Sequence, residues 1–195
     1  MAGIKRNGWR LAGTGLIAAL LLCVAVDPSS AQTGGSPAPG SPTGAEPNII
    51  SAPASKPRKA KLIRKSGRAI PPSDAPPAVV AAIEAGNLIR KRPYVWGGGH
   101  ASFESWGYDC SGAVSYVLHA AGLLASPLAS GPLMSWGLPG KGRWITVMAN
   151  PGHTYAVIAG LRWDTSSYGS GGKGPRWRFT KRRPRGYAIR HYAGY

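Results

Sequence analysis

The stretch Tyr108-Asp109-Cys110-Ser111-Gly112-Ala113-Val114-Ser115-Tyr116-Val117-Leu118-His119-Ala120-Ala121-Gly122-Leu123-Leu124 decides how the rest of the chain is read. Val114, Val117, Leu118, Ala121 and Leu124 recur at i, i+3, i+4, i+7 and i+10, so the spacing predicts a helix over 110–124 with one apolar face. Cys110 stands where a loop turns into that helix. Free N–H groups and the macrodipole at a helix start stabilise a thiolate and lower the thiol pKa. The same N–H groups can hold an oxyanion.

A nucleophilic Cys needs a base, and the base needs a group to orient it. His153 opens the strand-like run His-Thr-Tyr-Ala-Val-Ile, and Asp164 follows 11 residues later. A tight turn around Gly160 makes the two neighbours across a hairpin, where Asp164 accepts the Nδ1–H of His153. Cys110, His153 and Asp164 then form a cysteine-hydrolase triad. The competing bases are weaker. His119 lies too far along the helix axis to reach Cys110. His100 sits in a Gly-rich loop with no obvious orienter, although it could meet substrate, and His191 reads as structural or surface.

Upstream, residues 78–91 suit a helix, weakened by Gly86 and Asn87. After Ser130 the pattern changes to short β-branched and aromatic runs at 143–149, 153–159, 161–165, 175–180 and 187–193, separated by Gly/Pro-rich turns. Helices first and strands afterwards predict an α+β domain over 77–195, with the nucleophile helix on an antiparallel sheet of about five strands.

The N-terminal part reads differently. Lys5, Arg6 and Arg10 precede an uncharged apolar run over 11–26, and Ser29 and Ala31 supply the small residues of a cleavage site. Residues 1–31 are expected to be a signal peptide, making the protein secreted or associated with the cell wall; an uncleaved anchor is the alternative. Cleavage removes Cys23 and leaves Cys110 as the single cysteine. Residues 32–76 read as a linker: 32–55 are rich in Pro, Gly, Ser and Ala, and the basic arm 56–68 carries seven Lys and Arg, expected to be disordered and weakly adhesive.

The formal net charge of +17, from 24 Lys+Arg against 7 Asp+Glu, implies an anionic partner. Much of it lies in that arm and in a second run of seven from Lys173 to Arg185, so the reading is a tether to anionic wall polymers. Nucleic acid is disfavoured: no recognition motif is present, and the basic runs lack regular aromatic stacking positions. Metal binding is disfavoured too, since no ligand-spaced His/Cys cluster occurs. Gly97-Gly98-Gly99 is not a phosphate loop, and there is no G-x-S-x-G elbow. No cofactor is expected, and a monomer is.

Pro93-Tyr94-Val95-Trp96-Gly97-Gly98, then Tyr108-Asp109-Cys110-Ser111-Gly112, then His153 opening a strand, resembles the NlpC-type cell-wall peptidases of the papain-like superfamily. The resemblance spans roughly 88–165. It implies a papain-like α+β fold and hydrolysis of peptidoglycan stem peptides, typically at D-γ-glutamyl to diamino-acid bonds. It places the catalytic Cys and His on Cys110 and His153, the third polar residue on Asp164, and substrate-pocket residues on Tyr94, Asp109 and Ser111. The family's Pro-Gly-Asp turn is not evident, and Pro139-Gly140-Lys141 stands near its place. Two other classes stay open: a cationic binding protein with an idle triad, and a Cys-dependent acyltransferase.

Overall fold

The structure, a computed structural model, describes residues 55–166, 174–179 and 181–195. The proposed signal peptide, the linker as far as residue 54, and Lys173 lie outside the described residues. Within them no helix is long and apolar enough to cross a membrane.

The chain runs β1 (Lys61–Ile63), β2 (Arg68–Ile70), α1 (Pro77–Ile89), α2 (Cys110–Ala120), α3 (Ser130–Leu133), β3 (Leu138–Pro139), β4 (Ile145–Asn150), β5 (His153–Ile158), β6 (Leu161–Asp164), β7 (Arg176–Arg178) and β8 (Ala188–His191). The main sheet has the order β3-β8-β4-β5-β6-β7, with every pair antiparallel. It has six strands where the sequence predicts about five. The additional strand, β3, is two residues long and shows no alternation to read.

Side chains alternate across the sheet. Ile145, Val147, Ala156, Ile158, Leu161 and Trp163 make the buried apolar face, which packs on Val79 and Ile83 of α1 and Val114, Val117 and Leu118 of α2. Trp163 is fully buried, and its indole N–H donates to the Ala113 carbonyl at 2.9 Å, tying β6 to the first turns of α2. Burying apolar side chains of this size stabilises the fold by about 1.5–3 kcal/mol each. The opposite face carries Thr146, Met148, Val157, Arg162 and Asp164, by the register of β4, β5 and β6.

The two weak helix formers of α1 have jobs that packing explains. A Cβ on Gly86 would lie 2.5 Å from Cζ2 of Trp177, so only a hydrogen leaves room for that ring. Asn87 is buried; its Oδ1 accepts from the Ala69 N–H at 2.9 Å and the Trp177 indole at 3.2 Å, while its amide donates to the Ala69 carbonyl at 2.8 Å. Asn87 therefore joins β2, α1 and β7.

That contact corrects the reading of the basic arm as disordered chain. Lys61–Ile63 and Arg68–Ile70 form a hairpin, Ala60 donates its N–H to the Ala159 carbonyl at 2.8 Å, and Ala60 and Ala69 are buried. The charges point outward while the backbone and two alanines do the docking, so the fold takes in residues upstream of Pro77.

α2 ends at Ala120 rather than at 124. The Gly122 N–H donates to the His119 carbonyl and the Leu123 N–H to the Leu118 carbonyl, with Gly122 at φ 72°, which is a Schellman cap. α1 likewise spans 77–89 rather than 78–91.

Candidate active site

Asp109 sets the start of α2. Its backbone is extended, its Oδ1 accepts from the Gly112 N–H at 2.7 Å and the Ser111 hydroxyl at 3.2 Å, and its Oδ2 accepts from the Gly97 N–H at 3.1 Å. The cap pins Cys110 at the first helical position and ties the Gly-rich loop to it. The approach is close: a Cβ on Gly112 would meet the Gly98 carbonyl oxygen at 2.0 Å. Cys110 is a partly buried free thiol. Its Sγ lies 3.7 Å from the Ser130 hydroxyl, and it also interacts with the His153 ring and the Thr154 backbone N–H.

His153 and Asp164 meet at the end of the β5–β6 hairpin, which closes through Ala159 and Gly160 at φ 45° and 80°. The ladder pairs Ala156 with Trp163, so its continuation puts Asp164 opposite Tyr155 and diagonal to His153. The ring reaches across that diagonal, with Nε2 3.0 Å from Asp164 Oδ1. The sequence reading assigned this bond to Nδ1. The structure gives it to Nε2, which leaves Nδ1 as the nitrogen available to the thiol.

The electrostatics follow from this chain of contacts. Burial pushes the Cys110 thiol up, but His153, Ser130 and the Thr154 N–H stabilise the anion and bring it below its ordinary value. Burial pushes His153 down, but Asp164 and Cys110 outweigh it and raise the imidazole to about 9. Burial raises Asp164, and the stronger pull of His153 and Ser166 holds it below the ordinary carboxylate range. Together these directions favour a thiolate–imidazolium pair.

Three residues at this site were not singled out from sequence: Ser130, Arg162 and Arg182. Ser130 had no signal beyond its place at a turn. Arg162 had one, because Leu161-Arg162-Trp163-Asp164 alternates and puts Arg162 on the face of Asp164. Its Nε is 3.2 Å from Asp164 Oδ2, and Arg182 Nη1 is 3.5 Å from the same oxygen. The basic C-terminal run, read as a tether only, thus reaches the carboxylate that holds His153.

The pocket candidates sit around α2. Tyr94 bridges to Tyr108, and burial together with the charges of Cys110 and Asp109 raises its phenol. Ser111 and Asp109 are buried, and His100 Nε2 stands 3.0 Å from the Asp109 carboxylate and 3.1 Å from Ser111 Oγ. His100 therefore does have orienting partners. His119 and His191 pair with the Leu124 and Gly140 carbonyls. Among the described residues no three His, Cys, Asp or Glu side chains converge as a metal site.

Neither a protein-family model nor a curated protein matches the chain. Among solved structures it is similar to the peptidoglycan hydrolase RipB of Mycobacterium tuberculosis, at 24% identity and a TM-score of 0.47, over 65% of this chain and 70% of that one. It is also similar to Rv1477, a hypothetical invasion protein of Mycobacterium tuberculosis, at 22% identity and a TM-score of 0.43, over 70% of this chain and 69% of that one.

Proposed function

We propose that the protein is a cysteine peptidase that hydrolyses amide bonds in peptidoglycan stem peptides. The observation that carries the reading is His153 held at Nε2 by Asp164 and interacting with the Cys110 thiol at the start of α2. The Cys110 thiolate attacks the amide carbonyl, and the carbonyl oxygen becomes an oxyanion beside the N–H groups of the first helical turn. The His153 imidazolium gives its proton to the leaving amine as the C–N bond breaks, which leaves a thioester on Cys110. Neutral His153 then takes a proton from water, hydroxide adds to the thioester, and the carboxylic acid departs as the C–S bond breaks, restoring the Cys110 thiolate beside the His153 imidazolium. Asp164 keeps the imidazole in one orientation throughout.

The substrate class is supported by the Tyr-x-Trp-Gly-Gly and Asp-Cys-Ser-Gly motifs. The D-γ-glutamyl to diamino-acid bond is the proposed target, and the wall outside the membrane is the proposed place of action. The test is digestion of purified sacculi followed by mass spectrometry of the released muropeptides. Wild type should release stem-peptide fragments that Cys110→Ala does not. Equal release by both would end the reading, and a product carrying an added amine in place of water would make the enzyme a transferase.

A further inference from the structure

On the sheet face turned away from α1 and α2 lies a cavity of about 580 Å³. Lys56, Arg58 and Lys59 reach it from the segment before β1, and Lys141 and Arg143 from the turn before β4. Arg162 lines its floor, and Lys181 and Arg182 close it from the segment after β7. None of the lining residues is Asp or Glu. Of these cations, Arg162 and Arg182 meet Asp164, which His153 also shares, and Asp74 takes the Arg58 backbone N–H at 3.1 Å. Arg162 is 4% exposed, and its Nη2 has no hydrogen-bond partner among the described residues. A buried donor without an acceptor is unfavourable, and an anion is the kind of acceptor that fits beside it.

We propose that this cavity is a binding site for a phosphodiester polymer built on polyol units. Its size exceeds what one phosphate fills and leaves room for more than one repeat. Its cations come from four chain segments, which suits a charge repeated along a chain rather than concentrated at one point. Between the cations lie Trp144, Met148 and Val157, which suit the carbon backbone of a polyol. A base-bearing strand fits less well. Phe179 is the exposed aromatic ring at the rim, and Arg64 already stands over its face at 5.0 Å, so it offers no open stacking platform. The cavity shares Arg162 and Arg182 with the carboxylate that holds His153, but its charges attract an anion whether or not the thiol reacts, so binding here does not depend on the peptidase reading.

The experiment is fluorescence anisotropy of a labelled glycerol-phosphate hexamer with the full-length chain, at about 0.1 M salt where unpaired surface charges are substantially screened. Lys59→Gln/Lys141→Gln/Lys181→Gln removes three charges from exposed rim positions. Lys61→Gln/Lys65→Gln/Lys91→Gln removes three exposed charges outside the cavity and serves as the control. The cavity variant should bind about tenfold more weakly with a log–log salt slope reduced by about two, and the control should stay within about twofold of wild type. Equal weakening in both variants would show diffuse attraction and overturn the proposal, as would no binding by wild type. Tighter binding of a single-stranded DNA hexamer of equal charge, or binding only to anionic lipid vesicles, would also overturn it.

Discussion

Replacing Asp164 with Asn keeps the side chain's shape and removes the charge that holds His153. The imidazole stands at about 9 against an ordinary 6.5, raised by Asp164 and Cys110 against the effect of burial. At about 1.4 kcal/mol per pH unit, the net rise favours the imidazolium by about 3.5 kcal/mol, and the two anions supply more than that because burial works against them. Asp164 is the larger of the two contributions, so losing its charge should lower the imidazole by at least about one pH unit. Because the folded-state value is raised, the stabilisation is complete below the ordinary 6.5 and is lost as pH rises through about 9. Asp164→Asn should therefore move the alkaline limb of kcat/KM down by at least about one pH unit. The Cys110 thiolate loses part of its imidazolium support, so the acid limb moves up and the profile narrows from both sides. The acid limb can be read without substrate, as the pH dependence of Cys110 alkylation by iodoacetamide, followed on its peptide by mass spectrometry.

The same change leaves Arg162 buried without its carboxylate, at a cost of about 3–5 kcal/mol of stability. Adding Arg162→Met removes the stranded charge, so the double variant should regain most of the stability while keeping the narrowed profile. A folded Asp164→Asn protein whose alkaline limb still lies at about 9 would refute the role given to Asp164.

Two further outcomes test how the site is carried. Asn87→Ala removes four hydrogen bonds and leaves the buried N–H and carbonyl of Ala69 unpaired, so thermal or urea unfolding should show a loss of about 2–4 kcal/mol. Gly112→Ala sets a Cβ against the Gly98 carbonyl oxygen and must push the Gly-rich loop off the start of α2. Its hydrolysis should fall at least about tenfold, since small displacements of reacting groups cost that much or more, and a crystal structure should show the loop displaced.

The nucleophile helix was legible from an apolar face repeating at helical spacing, while the Asp109 cap that starts it emerged only in the structure. Its end was misplaced because Gly122 stops the helix while Leu124 keeps the pattern running. The five longer strands were legible from alternation and turn residues. The pairing of His153 with Asp164 followed from a two-residue turn, but the nitrogen that makes the bond did not. The continued register sets Asp164 diagonal to His153, and which ring edge crosses that diagonal is decided by rotamer and packing rather than by spacing. The β1–β2 hairpin escaped notice because its docking uses backbone groups and two alanines, which carry no hydrophobic period. Its main side-chain partner, Asn87, lies 18 residues beyond Ala69 on a helix. Arg182 was invisible for a related reason: a run of like charges gives no hint that one member folds back onto a buried carboxylate.

The docked hairpin has a practical corollary for anyone cutting the chain. A fragment beginning at Pro77, where composition invites a boundary, would lack the strand that satisfies Asn87 and would bare part of α1. The shortest fragment expected to keep its fold must start upstream of Lys56, before Ala60 reaches the Ala159 carbonyl. Cutting within the turn Arg64-Lys65-Ser66-Gly67, which is basic and lies between the two strands, would leave β2 clipped to α1 through Asn87 and β1 held through its pairing with β2 and the Ala60–Ala159 bond.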